Sequence, residues 1–433
     1  MKNVFKKIIV VIITWQAKLI IAKYHPKIIA ITGSVGKTST KDAIFTVLSK
    51  FKIVRKSEKS FNSEIGLPLT ILGSPNGWND PFVWFENILH GFSLILLNKK
   101  YPEYLILEIG VGKPGDIKKN VTPWLKPNVV IITSFPDKPV HVEFFGSVEK
   151  IVEEKTALVH SLRKDGILML NHDDDKVYSL HEKFNFRTIS FGMQDNSTYR
   201  AIYPTYLYEE HNGIKVPNGI NFKLEYNGNT FPVMLPNILG THNIGQALVA
   251  IACACELGCD LLESVKAVSE YITPPSRLSL IEGINNSIII DDTYNSSPVA
   301  LHAAIEVLKD LKGKRKIAVL GDMLELGKYT EEEHHLAGEK IVGIADILVV
   351  VGPRAKFIAE GAIDKGFNQK EIYSFDSSKT TAKFLEGMIE KGDIILIKGS
   401  QGIRLEKAVE AIMEHKELRK KLLCRQDKEW KNR

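Results

Sequence analysis

The sequence predicts an α/β fold in two parts, a central P-loop domain on a mostly parallel sheet and a C-terminal Rossmann-like α/β domain. Three observations predict it. Short apolar runs of buried-strand type alternate with helical segments in two series, the pattern of βαβ units. A glycine-containing turn follows the first of those runs and opens a helix. A stiff Thr273-Pro-Pro-Ser-Arg277 connection separates the two series. A chain of 433 residues has room for about three domains of ~150 residues. Its composition, 44% hydrophobic and 25% charged, excludes wholesale disorder, collagen and a polytopic membrane protein. The expected division is a basic, apolar N-terminal helix at 1–26, a central domain at 27–276, and a C-terminal domain with a basic tail at 277–433.

The N-terminal stretch Val4 to Ala22 is mostly apolar, but Lys6, Lys7 and Lys18 interrupt the ~20 apolar residues that a spanning helix needs. On a 3.6-residue period Lys7, Thr14 and Lys18 fall on one narrow stripe, so the rest of the helix must meet lipid, the protein body or another subunit. No small-x-small cleavage site precedes the nucleotide motif, which argues against a signal peptide. Buried-type strands follow at Lys27 to Thr32, Tyr104 to Glu108, Asn128 to Thr133 and Gly166 to Asn171. A second series reads at Ser287 to Asp291, Lys316 to Leu320, Ile347 to Val351 and Asp393 to Lys398. Between Leu72 and Tyr104 lies an unusually apolar, aromatic connection, Phe82 to Leu97, which must be covered by something. It reads either as an extra core helix or as part of one surface with the N-terminal helix.

Charge is uneven along the chain. The net charge is +6, yet residues 1–27 hold six Lys and no acid, and residues 414–433 hold eight Lys or Arg against four acids. The body between is slightly acidic, which excludes a basic nucleic-acid-binding surface. Cys253, Cys255 and Cys259 sit in a small-residue helix with no His or second Cys pair to complete a zinc site, and they fit a reducing, cytoplasmic compartment.

The stretch Thr32-Gly-Ser-Val-Gly-Lys-Thr-Ser-Thr40 is the first that carries chemistry. Between a strand and a helix, the backbone N–H groups of Gly33, Ser34, Gly36, Lys37, Thr38 and Ser39 can cradle phosphates. Lys37 would reach the β/γ-phosphates of ATP, and the Thr38 hydroxyl would hold Mg²⁺. The longer P-loop's first glycine is replaced by Ile31. A central P-loop ATPase domain is the expectation.

Further motifs follow in order: Asn62-Ser-Glu-Ile-Gly-Leu-Pro-Leu69, Glu108-Ile-Gly-Val-Gly-Lys-Pro-Gly115, His141-Val-Glu-Phe-Phe-Gly-Ser147 with Lys155, and Asn171-His-Asp-Asp174. Gly240-Thr-His-Asn243, Arg277, Asp291-Asp-Thr-Tyr-Asn295, Gly321-Asp-Met-Leu-Glu-Leu-Gly327 with His334, and Lys398-Gly-Ser400 complete the series. This ordered set resembles the Mur ligases of bacterial cell-wall synthesis. It is most similar to the branch that joins D-alanyl-D-alanine to UDP-N-acetylmuramoyl-tripeptide.

The resemblance implies an ATP-dependent amide ligase that activates a carboxylate as an acyl phosphate. It implies Thr38, Glu108, His141 and Lys155 at the metal, with Lys155 carbamylated and helping to hold a second Mg²⁺. Lys37, Glu108, His141, Lys155 and Arg277 would carry the reaction, Arg277 steadying the phosphates. Asn243, Arg277 and Asp292 would face the nucleotide. Tyr294, Asn295, Asp322, Glu325, His334, Lys398 and Ser400 would lie on the amino-acid-substrate side.

The sequence also departs from that family. Only about 30 residues precede the phosphate loop, where the family has a UDP-binding domain, so the resemblance supports ATP-dependent ligation better than a UDP-linked acceptor. Ser276 replaces the glycine usual before the arginine, Gly245 and Gln246 replace asparagines, and Gln401 replaces an arginine. Three functions follow from these readings. The first is a peptidoglycan-precursor ligase acting on a small-molecule or lipid-linked peptide and D-alanyl-D-alanine, in the cytoplasm and peripherally at the inner membrane face. The second is a Mur-like ligase for another carboxylate and amino acid. The third is a nucleotide-binding, membrane-associated scaffold, which has no need of a full metal and phosphate set.

Overall fold

The computed structural model describes residues 2–57, 64–135, 145–211, 214–426 and 430. The fold has two compact units: Met1–Ile202 with Lys223–Val233 and Ile244–Tyr271, and Tyr203–Phe222 with Met234–Asn243 and Ile272–Arg433.

In the first unit the strands are β1 (Lys27–Thr32), β2 (Val54–Lys56), β3 (Tyr104–Glu108), β4 (Val129–Ile132), β5 (Ile167–Asn171) and β6 (Arg187–Gly192). Three further strands, β7 (Tyr199–His211), β8 (Ile214–Tyr226) and β9 (Asn229–Pro236), have only part of their length in this unit. The sheet order is β2-β3-β1-β4-β5-β6-β7-β8-β9, and each neighbouring pair from β2 to β7 is parallel. β1, β3 and β4 are apolar along nearly their whole length because both faces are covered. The chain fills the β3 side of β1 first and then the β4 side, so the strand order reverses beside β1. The crevice beyond the carboxyl ends of strands at such a point is where open α/β sheets take ligands.

The N-terminal helix α1 (Lys2–Tyr24) buries Ile9, Ile13, Ala17 and Ile20 on one stripe. That stripe packs into the core of the first unit with α3 (Gly66–Leu72) and α4 (Pro81–Leu96), which follow α2 (Lys37–Leu48). The apolar connection read from the sequence is therefore a helix. Asp80 caps it through the Phe82 and Val83 N–H groups, and Pro81 opens it. Gln16 donates to the Ile88 carbonyl at 2.9 Å, so close to Gly91 that a Cβ there would lie 2.4 Å from Gln16 Oε1. At the far end Lys23 Nζ donates to the Leu94, Ile95 and Leu97 carbonyls, closing the helix C-terminus with a cation. Among the described residues no helix is long and apolar enough to cross a membrane.

The second unit holds β10 (Ser279–Gly283), β11 (Ser287–Asp292), β12 (Arg315–Gly321), β13 (Ile347–Val351), β14 (Ile372–Phe375) and β15 (Asp393–Lys398). Their order is β10-β11-β15-β12-β13-β14, with β10 antiparallel and the others parallel. Separate apolar cores cover the two faces of this sheet, the doubly wound arrangement expected of a Rossmann-like domain. On one face two helices, Thr330–Ile341 and Lys356–Asp364, approach so closely that a Cβ on Gly338 would stand 1.9 Å from the Ile358 carbonyl oxygen.

That contact is backbone and cannot yield, so Gly338→Ala should destabilise the unit by about 1–3 kcal/mol. Gly387, in the helix Ser378–Met388, faces open space, and Gly387→Ala should stabilise by about 0.4–1 kcal/mol. Urea midpoints moving in opposite directions for the two variants are the expected result, and a shift of the same sign would contradict the packing described.

Candidate active site

The first cluster forms at the phosphate loop. Gly33 (φ 146°) and Gly36 (φ 84°) hold conformations that favour glycine, and a Cβ on Gly33 would lie 2.0 Å from Thr133 Oγ1. The loop is tied to the end of β4: Ser34 N–H donates to the Ser134 carbonyl (2.9 Å), and Thr133 Oγ1 donates to the Val35 carbonyl (2.6 Å). Gly36 is the N-cap of α2, so the helix N-terminus opens onto the loop. Lys37 Nζ donates to the Gly33 carbonyl at 2.8 Å, which places the cation across the mouth of the loop. Ser39 lies in the first turn of α2 and is buried.

Glu108, at the carboxyl end of β3, is buried, and its two oxygens accept from Thr38 Oγ1 at 3.1 and 3.0 Å. Lys41 Nζ is 3.9 Å from the same carboxylate and donates to Ser57, so a buried cation balances a buried anion. Lys155 sits in the helix Val148–Thr156, and its Nζ donates to Ser34 Oγ. Burial, and then the nearby charge of Lys37, push the Lys155 amine well below the usual lysine range. Loop, hydroxyl, carboxylate and amine therefore converge: Lys37, Thr38, Glu108 and Lys155 come together with Ser34. His141, Asn62 and Ser63 lie outside the described residues.

The oxygen pair of Thr38 and Glu108 fits a hard cation such as Mg²⁺, which keeps several waters and phosphate oxygens and needs few protein ligands.

The second cluster belongs to the second unit. Lys398, at the end of β15, is buried and donates to Asp292 Oδ2 at 2.6 Å and to the Asn295 carbonyl at 2.8 Å. The Arg277 guanidinium stacks on the Tyr294 ring at 4.2 Å, and its buried Nε has no hydrogen-bond partner among the described residues. His242, an exposed residue, lies beside Asp292, Lys398 and Arg277. Asn243 Nδ2 donates to the Leu239 carbonyl at 2.6 Å.

Asp322, His334 and Ser400 build the wall of a loop. Asp322 Oδ1 accepts from the Arg354 and Ala355 N–H groups, and its carbonyl accepts from Ser400 N–H. Ser400 Oγ accepts from Leu324 N–H at 2.9 Å. His334 Nε2 accepts from Met323 N–H (2.8 Å) and Nδ1 faces the Thr330 carbonyl (2.6 Å), so a neutral ring with the proton on Nδ1 satisfies both. Glu325 is exposed and left-handed at φ 65° in that loop.

Several contributors are not among the site residues read from the sequence. Buried Glu154, one residue before Lys155, accepts from the Gly115, Ile117 and Lys118 N–H groups and fixes the turn after Glu108. Lys41 carries the counter-charge of Glu108 from one turn inside α2. Asp291 accepts from Ser276 Oγ and Thr293, and burial raises its pKa to about 6. Ser276, visible in the sequence as a departure from glycine, stands left-handed at φ 60°.

The Mur ligase middle-domain family matches residues 31–254, and the Mur ligase glutamate ligase domain family matches residues 276–401. Among curated relatives, the UDP-N-acetylmuramoyl-tripeptide--D-alanyl-D-alanine ligase of Bacillus subtilis (strain 168) is 32% identical, over 92% of this chain and 78% of the relative. The enzyme of the same name from Rickettsia prowazekii (strain Madrid E) is 29% identical over 89% and 77%. Among solved structures, MurF from Acinetobacter baumannii superposes with a TM-score of 0.74 at 25% identity, over 92% of this chain and 79% of that one. MurF ligase from Thermotoga maritima in complex with ADP gives 0.73 at 25% identity, over 95% and 84%.

Burial lowers the pKa of His302 and His334 in the second unit. The unfolded chain therefore binds these protons first, and stability is lost as pH falls from about 7 through the 6.5 of free imidazole. Asp291, its pKa raised by burial, and His335, its pKa raised by the hydrogen bond to Asp364, act in the opposite direction. Between about pH 8 and about pH 5.5 the urea midpoint should fall less, or rise more, in His334→Gln than in the wild type. An unchanged difference in that variant would count against a neutral His334 in the fold.

Proposed function

The chain belongs to the Mur ligase family, and from that premise we propose that it is an ATP-dependent amide ligase that joins D-alanyl-D-alanine to the peptide of UDP-N-acetylmuramoyl-tripeptide. The observation that supports this reading most directly is the meeting of Lys37, Thr38, buried Glu108 and low-pKa Lys155 at one phosphate loop.

In the proposed reaction a carboxylate oxygen of the peptide attacks the γ-phosphorus of ATP, and the bond to the ADP oxygen breaks. The amine of D-alanyl-D-alanine then attacks the acyl carbon, loses a proton, and expels inorganic phosphate. The loop N–H groups from Gly33 to Ser39 bind phosphate oxygens, and Lys37 follows the charge of the transferred group. Thr38 and Glu108, with His141, would hold Mg²⁺, which supplies neutralisation of the phosphate charge. Lys155, whose burial beside Lys37 favours the neutral amine, offers in that form the lone pair needed to add to CO₂, and loss of a proton then leaves a carbamate anion as the further oxygen ligand. Arg277 and Asp292 would meet the phosphates and the ribose, with Asn243 on the adenine side. Tyr294, Asn295, Glu325 and Lys398 would face the amino-acid substrate, with Asp322, His334 and Ser400 beside the loop that carries Glu325. The enzyme would work in the cytoplasm at the inner membrane face, where UDP-linked and lipid-linked peptide acceptors are both within reach; the basic, apolar α1 supports that placement.

Phosphate release with ATP, Mg²⁺ and bicarbonate, measured with UDP-N-acetylmuramoyl-tripeptide with and without D-alanyl-D-alanine, tests the reading. Dependence on both substrates is expected, whereas turnover only with another carboxylate would favour a different Mur-like substrate. Lys37→Ala should reduce turnover by at least about 10²-fold without loss of folding. Lys155→Ala should lose activity that short carboxylates partly restore, and bicarbonate depletion should slow the wild type only. Full activity of Lys155→Ala under both conditions would remove the carbamate from the mechanism.

A further inference from the structure

A solvent-facing helix stripe is normally polar. On α4 it is apolar: Phe82, Phe85, Leu89, Phe92 and Leu96 repeat every three or four residues, and Phe82, Phe85 and Leu96 are 80%, 60% and 75% exposed. The opposite stripe of the same helix, with Trp84, Asn87, Gly91 and Leu94, is the one buried against the body. α1 repeats the arrangement, with Ile9, Ile13, Ala17 and Ile20 inward and Ile8, Val11 and Trp15 outward. The two outward stripes join, because the Trp15 and Phe92 rings meet edge to face at 6.1 Å. Two stretches that are far apart in sequence thus form one continuous apolar face on the first unit.

Charge indicates what covers this face. Lys7 and Lys18 are exposed on α1, one turn from Val11 and Trp15, and α1 carries no acid. Lys99 binds Ser93 Oγ at 2.9 Å beside the end of α4, with Lys100 next to it. Glu86 is the one acid within α4. A second copy seated symmetrically on this face would set these lysines against one another. An anionic lipid surface complements them, while the aromatic and aliphatic stripe enters the acyl boundary and Trp15 sits at headgroup depth.

We propose that the outward faces of α1 and α4 together form a docking surface for an anionic bilayer, with both helices lying flat in the interface and neither crossing it. This rests on the peripheral placement proposed above but not on the ligase chemistry, because none of these side chains belongs to the phosphate-loop cluster.

The test uses the full chain and vesicles of phosphatidylcholine alone or mixed with phosphatidylglycerol in about equal parts. Flotation with the mixed vesicles at low salt is expected, with weaker binding at high salt. Phe85→Glu combined with Leu89→Glu should reduce binding by roughly tenfold or more. Both positions are exposed, so the fold should persist, and unchanged circular dichroism with unchanged ATP-dependent phosphate release would verify it. Lys18→Glu should weaken binding to the mixed vesicles, and outward Trp15 should be quenched by brominated acyl chains. Equal binding by the double variant, or no flotation of the wild type, overturns the proposal. A dimer in light scattering that the double variant dissolves, without vesicle binding, overturns it in favour of self-association. Loss of phosphate release with vesicle binding retained would strike the ligase reading alone.

Discussion

The phosphate loop depends on one attachment, the tie between the turn after β1 and the end of β4. A loop that offers its N–H groups to an anion cannot satisfy them internally, so it must be held from outside. The Thr133 hydroxyl and the Ser134 carbonyl supply that hold, and Gly33 must lack a side chain because Thr133 Oγ1 occupies the space a Cβ would need. The end of β4 is itself fixed from β5: Asn171 Nδ2 donates to the Thr133 carbonyl, and Asp174 Oδ2 accepts from Phe135 N–H. Asp173, between them, accepts from Met193 and Gln194 N–H beyond β6. Three successive strand ends are thereby locked into one surface, and the motif Asn171-His-Asp-Asp174 reads as the brace of the loop rather than as part of its chemistry.

On that surface the second constraint is the cost of burying charge. Glu108 is tolerated because Thr38 and Lys41 meet it from α2. Glu154 is tolerated because three N–H groups point at it. Lys155 has no carboxylate partner in its hydrogen bond to Ser34, and Lys37 is a like charge nearby, so its cost is met by a lowered pKa. The second unit follows the paired route, with Lys398 against Asp292 and Asp322 against the Arg354 and Ala355 N–H groups. Lys155 is thus an exception among the buried charges, and the exception coincides with the amine for which a neutral form has a chemical use.

Sequence reading found the elements whose signal is local. The strand ranges at Lys27–Thr32, Tyr104–Glu108, Ile347–Val351 and Asp393–Lys398 appear in the structure as read, because a strand covered on both faces is a continuous apolar run bounded by turns. β7, β8 and β9 were not legible for the opposite reason. β9, for example, buries only Val233 and Leu235 firmly, so its pattern barely departs from that of a loop. The same division holds at the site. Lys37 and Thr38 announce themselves within one loop, whereas Glu154 and Lys41 act on partners that only folding brings near. The helix at Pro81–Leu96 was visible as an apolar run, but which stripe faces inward depends on Gln16 and Gly91 meeting across more than seventy residues.

Ser276 shows how one departure from a family pattern is absorbed. A left-handed backbone costs a residue with a Cβ about 1–2 kcal/mol relative to glycine. Here the side chain that brings the cost also offsets it: the hydroxyl donates to buried Asp291 at 2.7 Å and accepts from Cys424 N–H at 3.1 Å. That second bond recruits the C-terminal segment. Buried Arg425 ion-pairs with Glu406 at 3.2 Å, donates to the Thr293 and Tyr294 carbonyls, and sits over the Tyr294 ring, which also stacks on Arg277. A serine in place of glycine therefore does more than tolerate strain. It ties residues beyond the matched family region to the Asp291-to-Asn295 turn, and so supports from behind the ring on which Arg277 rests.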